Sequence, residues 1–500
     1  MKHIKTNSIL SKVISVSGIV LIAKLLGFLK QMITANAFGA TLQTDMISIS
    51  EGLITNIDYL IVQAFVTAFV PIYISIKVHD KDYNKFFSNT VTFMMLISIV
   101  ITVVFVGFSP LLAKVLAPSY SYEETQMLSR YIMVLSPALI LILQIAVINA
   151  LLKANEKFNP GEMISVFQSV TLIVLVIAIG GIVGANVLII AVYVYAVTGL
   201  LYLIICSKKY CRIRLSSPFK DSDLKKMLKM MLPLLVGFSA IFINQQVDKI
   251  IVSGFGSGIV TAMSYASVLS NFVCSFITSI CSIVFTYVSQ QVANGDGKSS
   301  AEFIGKALLQ MITILLPISL VTIFNSYDIV KLIFGRGAFN SDAVYNCSLA
   351  LTGYGIMFVP YAVRELFNRF QYAYGDSKTP MINSSIAIAI NIVLSITLSY
   401  KFKIFGVALA TSISVIVNMI FGIITSQKKN KEIKNISIIK YIPRWAIGSV
   451  FCVFVCIAGK IFLSELPYFL RLIIIVVVAF SGYGIINLST LKRFLRRKSI

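Results

Sequence analysis

The sequence predicts an all-α polytopic membrane protein with about fourteen transmembrane helices. Three observations predict it. Apolar runs of about 20 residues recur from one end of the chain to the other. Of the 500 residues, 57% are hydrophobic and 13% charged, about half the charged fraction of a soluble chain. The mean hydropathy is +0.89, and the short alternating segments of a membrane barrel are missing from the pattern.

The first run, ILSKVISVSGIVLIAKLLGFLK, follows the basic start MKHIKTNS with no small-residue cleavage site. It therefore reads as a first span over 10–34 and not as a removed signal. Further spans are expected over 43–70, 88–109, 128–151, 161–182 and 185–206, then over 231–254, 261–289, 304–325, 346–370, 380–400 and 404–425. Two more, 441–462 and 468–488, close the chain. Pro137, Pro233, Pro317 and Pro360 fall inside spans, and each frees a backbone carbonyl and invites a kink. Proline is also common in membrane helices, so none of the four is assigned as a hinge.

The connections alternate in charge. KVHDKDYNK, LKANEKFNPGE, KKYCRIRLSSPFKDSDLKK, ANGDGKSS, YGDSKTP and QKKNKEIKN are polar and mostly basic, whereas SYSYEETQ, GGIVGAN and SELPY are acidic or uncharged. The tail LKRFLRRKSI is basic. The excess of Lys and Arg in cytoplasmic loops places both termini in the cytoplasm and accounts for the net charge of +23 without nucleic acid. The longest outer connection, 325–345, offers only Asp328 and Asp342, too little for a membrane-embedded glycosyltransferase. The seven cysteines, Cys206, Cys211, Cys274, Cys281, Cys347, Cys452 and Cys456, are scattered through apolar sequence, and the only histidines are His3 and His79. They read as small buried side chains, with no metal expected. No phosphate-cradling glycine loop is present, so no cofactor and no ATP drive are expected. Coupling would fall to Na⁺, H⁺ or the membrane potential.

A weak internal repeat organises the spans. ITANAFGATLQTDMISIS (Ile33–Ser50) resembles IIVSGFGSGIVTAMSYAS (Ile250–Ser267), and LLKANEKFNPGEM (Leu151–Met163) resembles FQYAYGDSKTPMI (Phe370–Ile382). The expected organisation is an N-lobe of six helices over 1–208, a C-lobe of six over 209–428, and two added helices with a basic tail over 429–500. Two such lobes around a central site make the architecture of an alternating-access transporter.

Charges inside the first spans point to that site. With about 1.5 Å of rise per residue, Lys30 lies roughly 7 Å and Lys24 roughly 16 Å below the outer surface. Glu51 and Asp58 on the second span lie roughly 12 Å and 22 Å down. Glu51, Thr55 and Asp58 share one helical face. The seventh span adds Asn244, Gln245, Asp248 and Lys249. Such a cluster is costly in hydrocarbon. Buried ion pairs between helices explain it in one reading. In the other it lines a water-filled cavity whose lysines attract an anionic group such as phosphate, while the carboxylates pair with them or bind a cation.

LLGFLKQ, FGATLQTD, AFVTAFVPI, VDKIIVSGF, SYASVLSNF, LIFGRGAFNSDAV and FQYAYGDSKTP, in that order, resemble the lipid II flippase (MurJ/MviN) family of the multidrug/oligosaccharidyl-lipid/polysaccharide exporter superfamily. The resemblance implies a non-enzymatic flippase of the bacterial cytoplasmic membrane, acting as a monomer. Its cargo would be an undecaprenyl-pyrophosphate-linked saccharide, the peptidoglycan precursor lipid II first among them. It places Lys24 and Lys30 where the family carries basic residues and Asp45 at the family's aspartate; with Glu51, Asp58, Asp248 and Lys249 from the charged faces they are the substrate-binding candidates. By position, Arg336 in the outer connection is a candidate gate at the outer mouth, and Arg364, Glu365 and Arg369, toward the cytoplasmic end of the tenth span, are a candidate inner gate with Asp376 and Lys378. Interfacial anchoring remains the other reading for Arg336 and Arg369. The sequence departs from the family where TNIDYL puts Asp58 in place of an arginine, where Ser267, Val268 and Leu269 replace another, and where Lys30-Gln31 replaces an arginine–aspartate pair. Lysine does not grip phosphate bidentately as arginine does. These departures leave two other cargoes open: another polyprenyl-linked glycan, or a small molecule exported against a cation.

Overall fold

The computed structural model describes residues 6–79, 82–210, 218, 221–435 and 439–488. The expectations placed on His3, Cys211 and the basic tail from 489 onward lie outside the described residues. The described chain is helical, with no strand. Its helices are α1 (Thr6–Phe38), α2 (Leu42–Val78), α3 (Tyr83–Gly107), α4 (Ser109–Leu116), α5 (Tyr122–Leu135), α6 (Ala138–Ala154), α7 (Asn159–Val183), α8 (Val187–Ser207) and α9 (Ser222–Ser253). They continue with α10 (Ile259–Ala293), α11 (Gly297–Ile333), α12 (Ser341–Gly355), α13 (Phe358–Ala373), α14 (Lys378–Lys429), α15 (Ile442–Phe462) and α16 (Tyr468–Ile486). Ten helical stretches among the described residues are long and apolar enough to cross a membrane.

Polar caps set where helices begin. The Thr41 hydroxyl accepts the Thr44 N–H and the Thr44 hydroxyl accepts the Thr41 N–H, which opens α2. Asp82, Asp221 and Asp296 cap α3, α9 and α11, each carboxylate accepting a backbone N–H of the first turn. Two long apolar stretches double back. A three-residue 3₁₀ turn at Gly184–Asn186 separates α7 from α8, which pack on each other. Inside α14 the chain reverses at Lys403 (φ 47°). Its two arms are tied by Asn391 to Thr411 and by Asn383 to Thr425, both at 3.3 Å.

Several spans differ from the sequence expectation for local reasons. The stretch 128–151 is two helices, α5 and α6, divided at Ser136–Pro137, where the Thr102 hydroxyl donates to the Ser136 carbonyl at 3.2 Å. The stretch 346–370 is likewise α12 and α13, with Pro360 in the first turn of α13. Pro233 and Pro317 sit inside α9 and α11 without breaking the helix at their own positions. The kink in α11 falls instead at Asn325 (φ −118°, ψ 21°). The Asn325 amide donates to the Val321 carbonyl at 3.2 Å, and the Lys460 ammonium takes the Phe324 carbonyl. Beyond the kink α11 runs on to Ile333, so Asp328 is helical and buried, not a loop residue. The short helix α4 had no counterpart in the hydropathy pattern.

Element starts repeat along the chain. α2 starts at Leu42 and α10 at Ile259, 217 residues on; α5 starts at Tyr122 and α12 at Ser341, 219 on; α7 starts at Asn159 and α14 at Lys378, 219 on. Packing groups the chain into two compact units: Met1–Val260 with Gly337–Phe339, and Thr261–Arg336 with Asn340–Ile500. Repeat and packing divide the chain differently, because α9 follows the first copy of the repeat yet packs on α2.

In the first unit an aromatic ladder, Phe65, Phe69 and Tyr73, stacks at 5.2 and 5.5 Å and buries against Phe86, Phe87 and Met227. In the second unit Cys281, Leu308, Leu366 and Phe370 form one core, and Trp445, Cys452, Cys456 and Ile475 hold α15 and α16 on α11. Large apolar side chains such as Val450, Phe454, Ile461, Ile473 and Val477 face outward, while Ser395, Ser412, Ser426 and Gln371 are buried. Hydrocarbon accepts the first group. Hydrogen bonds between helices hold the second, as where Gln371 donates to Thr425 at 2.7 Å and to Ser426 at 2.8 Å.

Candidate functional site

In the first unit the charged residues of α1, α2 and α9 fall into two kinds. Lys24 is exposed and Lys30 half-buried on α1. Neither ammonium has a hydrogen-bond or ion-pair partner among the described residues. Asp45 and Lys249 are bound into the protein. Asp45 is fully buried in the first turn of α2, and its Oδ2 accepts the Gly258 N–H at 2.6 Å. Gly258 has φ +81°, and the Ala40 carbonyl fills the place of a Cβ, so only glycine fits there. Asp45 thus fixes the turn between α9 and α10 to the start of α2.

Lys249 reaches from α9 to α2, where its Nζ donates to the Ser48 carbonyl at 3.0 Å. The ammonium lies where a Cβ on Gly52 would stand. Glu51, half-buried beside Gly52, is its electrostatic neighbour. Asp248 is half-buried on α9. Asp58, two turns along α2 from Glu51, is half-buried, and its Oδ1 is enclosed without a hydrogen-bond partner among the described residues. In the connection between α4 and α5, burial and then the charges of Asp45 and Glu124 push the Tyr120 hydroxyl well above the usual tyrosine range.

The FGRGAF string splits in role. Gly337, at φ +55°, lets the Ala338 N–H reach the Asn36 carbonyl at 2.9 Å, pinning this segment to the end of α1. Arg336 is exposed, and its guanidinium folds back to the Leu332 carbonyl at 3.2 Å.

In the second unit Arg364, Glu365 and Arg369 form a partly buried cluster on α13. Glu365 meets Arg364 at 2.8 Å and Arg369 at 3.9 Å. Arg364 also lies over the Tyr361 ring at 4.4 Å. One carboxylate for two guanidiniums leaves net positive charge. Asp376 is engaged elsewhere: it pairs with Lys429 at 2.8 Å and caps Thr379 at 3.0 Å. Those contacts hold its carboxyl well below the usual carboxylate range. Lys249's seat on Gly52 and the pair of Arg471 with Asp328 had no signal in the sequence, because each joins residues about 140 to 200 positions apart on helices whose packing the pattern does not specify.

A family model for the lipid II flippase MurJ matches residues 34–477. The chain belongs to the lipid II flippase MurJ family. The probable lipid II flippase MurJ of Rickettsia prowazekii is 25% identical over 430 residues, 83% of this chain and 84% of that one. The corresponding protein of Buchnera aphidicola is 23% identical over 424 residues, 83% of each. Among solved structures, a lipid II flippase MurJ in an inward closed conformation superposes with a TM-score of 0.82 at 22% identity, over 97% of this chain and all of that one. An inward-facing multidrug transporter of the MATE family superposes at 0.69 and 13% identity, over 85% and 99%. The last two are likenesses of fold. Membership in the MurJ family makes this a multi-pass transporter of the bacterial inner membrane whose cargo is a lipid-linked saccharide. Neither alternative cargo is favoured.

Proposed function

We propose that this MurJ-family flippase carries lipid II from the inner to the outer leaflet by alternating access, with Lys24 and Lys30 meeting its pyrophosphate. The observation that supports this assignment is that both lysines lie within a span and that their ammoniums have no partner among the described residues. A bare charge there costs about 3 kcal/mol on insertion scales, and an anionic cargo offsets that cost. Asp45 and Lys249 serve the site by holding α2, α9 and the following turn in place. Glu51, Asp58 and Asp248 supply the negative wall, and Asp58, with its enclosed and unpartnered oxygen, is the carboxylate best suited to take up a coupling H⁺ or Na⁺. Arg364, Glu365 and Arg369 act at the inner gate and Arg336 at the outer one. The chain works as a monomer with both termini in the cytoplasm and fourteen crossings: the ten apolar stretches, two of them double, with α9 and the α12–α13 pair. The lobes follow the repeat, 1–208 and 209–428, with 429–500 added.

The test is rescue of bacteria depleted of their own lipid II flippase, scored by growth and by labelling of lipid II in the outer leaflet. The expected result is rescue by the native chain and none by Lys24→Ala at equal abundance. Labelled lipid II at native levels with Lys24→Ala would remove the phosphate-ligand assignment. Failure of a well-inserted native chain would remove lipid II as cargo.

A further inference from the structure

The outer end of the seam between α11 and the α15–α16 pair carries more positive charge than its own fold uses. Three cations lie along that end of the seam, one from each of three helix ends. Lys331 lies in the last turn of α11, Lys460 in the last turn of α15, and Arg471 in the first turn of α16. One carboxylate answers them among the described residues: Asp328, whose two oxygens lie 2.9 and 3.0 Å from Arg471 Nη2. Asp328 is almost fully enclosed. Glu465, in the connection between α15 and α16, is exposed.

Donors remain beyond that pair. Arg471 Nε is shut off from solvent and has no hydrogen-bond partner among the described residues, and an enclosed N–H left unpaired is destabilising. Lys331 has no carboxylate partner among the described residues; its ammonium rests on the Tyr468 ring at 4.8 Å and beside the Tyr327 ring at 6.0 Å. Lys460 spends one of its three donors on the Phe324 carbonyl that the Asn325 kink releases. Asp328 and Lys331 lie one turn apart on α11, and Tyr468 and Arg471 lie one turn apart on α16. The Arg471–Asp328 and Lys331–Tyr468 contacts are therefore adjacent rungs of one seam. Helix ends of this kind lie at headgroup depth, where aromatic rings and long cations meet lipid phosphate. A guanidinium and two ammoniums suit a phosphate, with the apolar outer faces of α15 and α16 beside it for an acyl or prenyl chain.

We propose that Lys331, Lys460 and Arg471 form a binding site for the phosphate of a membrane lipid at the outer end of the α11–α16 seam, separate from the lysines of α1. The ligand chemistry is a lipid phosphate, borne by an anionic phospholipid of the leaflet or by a polyprenyl phosphate. The leaflet follows from the orientation proposed above; the site itself does not depend on it.

The experiment uses the full chain in neutral detergent, read by native mass spectrometry. Three probes are titrated: phosphatidylglycerol, a polyprenyl phosphate, and phosphatidylcholine as the zwitterionic control. The native chain is expected to retain the first or second in preference to the third. K331Q/K460Q, which leaves the Arg471–Asp328 pair intact, is expected to lose about tenfold in apparent affinity, while K331R/K460R keeps it. K401Q, a lysine outside the seam, is expected to bind as the native chain does. Loss for phosphatidylglycerol alone assigns the site to bulk phospholipid. Loss for polyprenyl phosphate alone assigns it to the prenyl carrier, and loss for both to the shared phosphate. Equal retention of phosphatidylcholine, or unchanged binding by K331Q/K460Q, overturns the proposal. If K331Q/K460Q is not recovered folded, K331Q alone is read against the same two criteria.

Discussion

Gly52 is a glycine because the ammonium of Lys249 occupies the place of its side chain. Gly52→Ala is expected to displace that ammonium from the Ser48 carbonyl and to destabilise the protein by about 1–3 kcal/mol. In a Lys249→Ala background the same change is expected to cost little, and thermal unfolding of the four variants reads the coupling. Equal costs in both backgrounds would mean that the two side chains do not share that space. Lys24 is the contrasting residue, whose ammonium has no partner among the described residues. Lys24→Ala is therefore expected to leave the unfolding temperature unchanged while abolishing flipping, and Lys24→Arg to restore it. Loss of folding together with flipping in Lys24→Ala would make the lysine a packing residue.

The α13–α14 connection carries a pH dependence at the scale of an element. Lys429 and the capped Thr379 N–H hold the Asp376 carboxyl below its ordinary value. A depressed carboxylate binds its proton less readily in the folded state than in the unfolded one. It thus adds stability above about pH 4, its unfolded range, which is lost as pH falls toward the folded value. Asp376→Asn is expected to lower the unfolding temperature at neutral pH, and the gap from the native chain is expected to close on acidification. A gap constant from pH 7 to pH 3 would show that the ion pair contributes nothing. Elements were legible in the sequence where one physical signal sufficed. The apolar runs gave α1, α2, α3, α7 and α8 closely, because hydrocarbon demands them. Asp328 was read as a loop carboxylate because the apolar run fades near Asn325. The helix continues past that kink, and the carboxylate is met there by Arg471, 143 residues away. The break at Ser136–Pro137 was visible as a proline, but so were Pro233 and Pro317, which break nothing. At Pro137 the break coincides with Thr102 on α3, which takes the Ser136 carbonyl.

At the scale of the molecule, the repeat read from two short strings reappears as helix starts 217 and 219 residues apart. The candidate site was legible only as a set of residue types. Lys24 and Lys30 stand out as charges in an apolar run, but the burial of Asp45 and the seat of Lys249 depend on α9 packing against α2. The proposed topology makes a further expectation. Protease sites fused to either terminus are expected to be cut in inverted membrane vesicles and protected in intact spheroplasts. Cutting of either from the outside would reverse the orientation. The chain contains 1 Trp, Trp445, whose indole N–H donates to Thr313 at 3.0 Å and whose ring stacks on Tyr441 at 6.1 Å. The intrinsic emission of this transporter therefore comes from a single buried indole in the contact between α15 and α11. A change in its colour or lifetime during turnover reports movement at that contact with no label introduced.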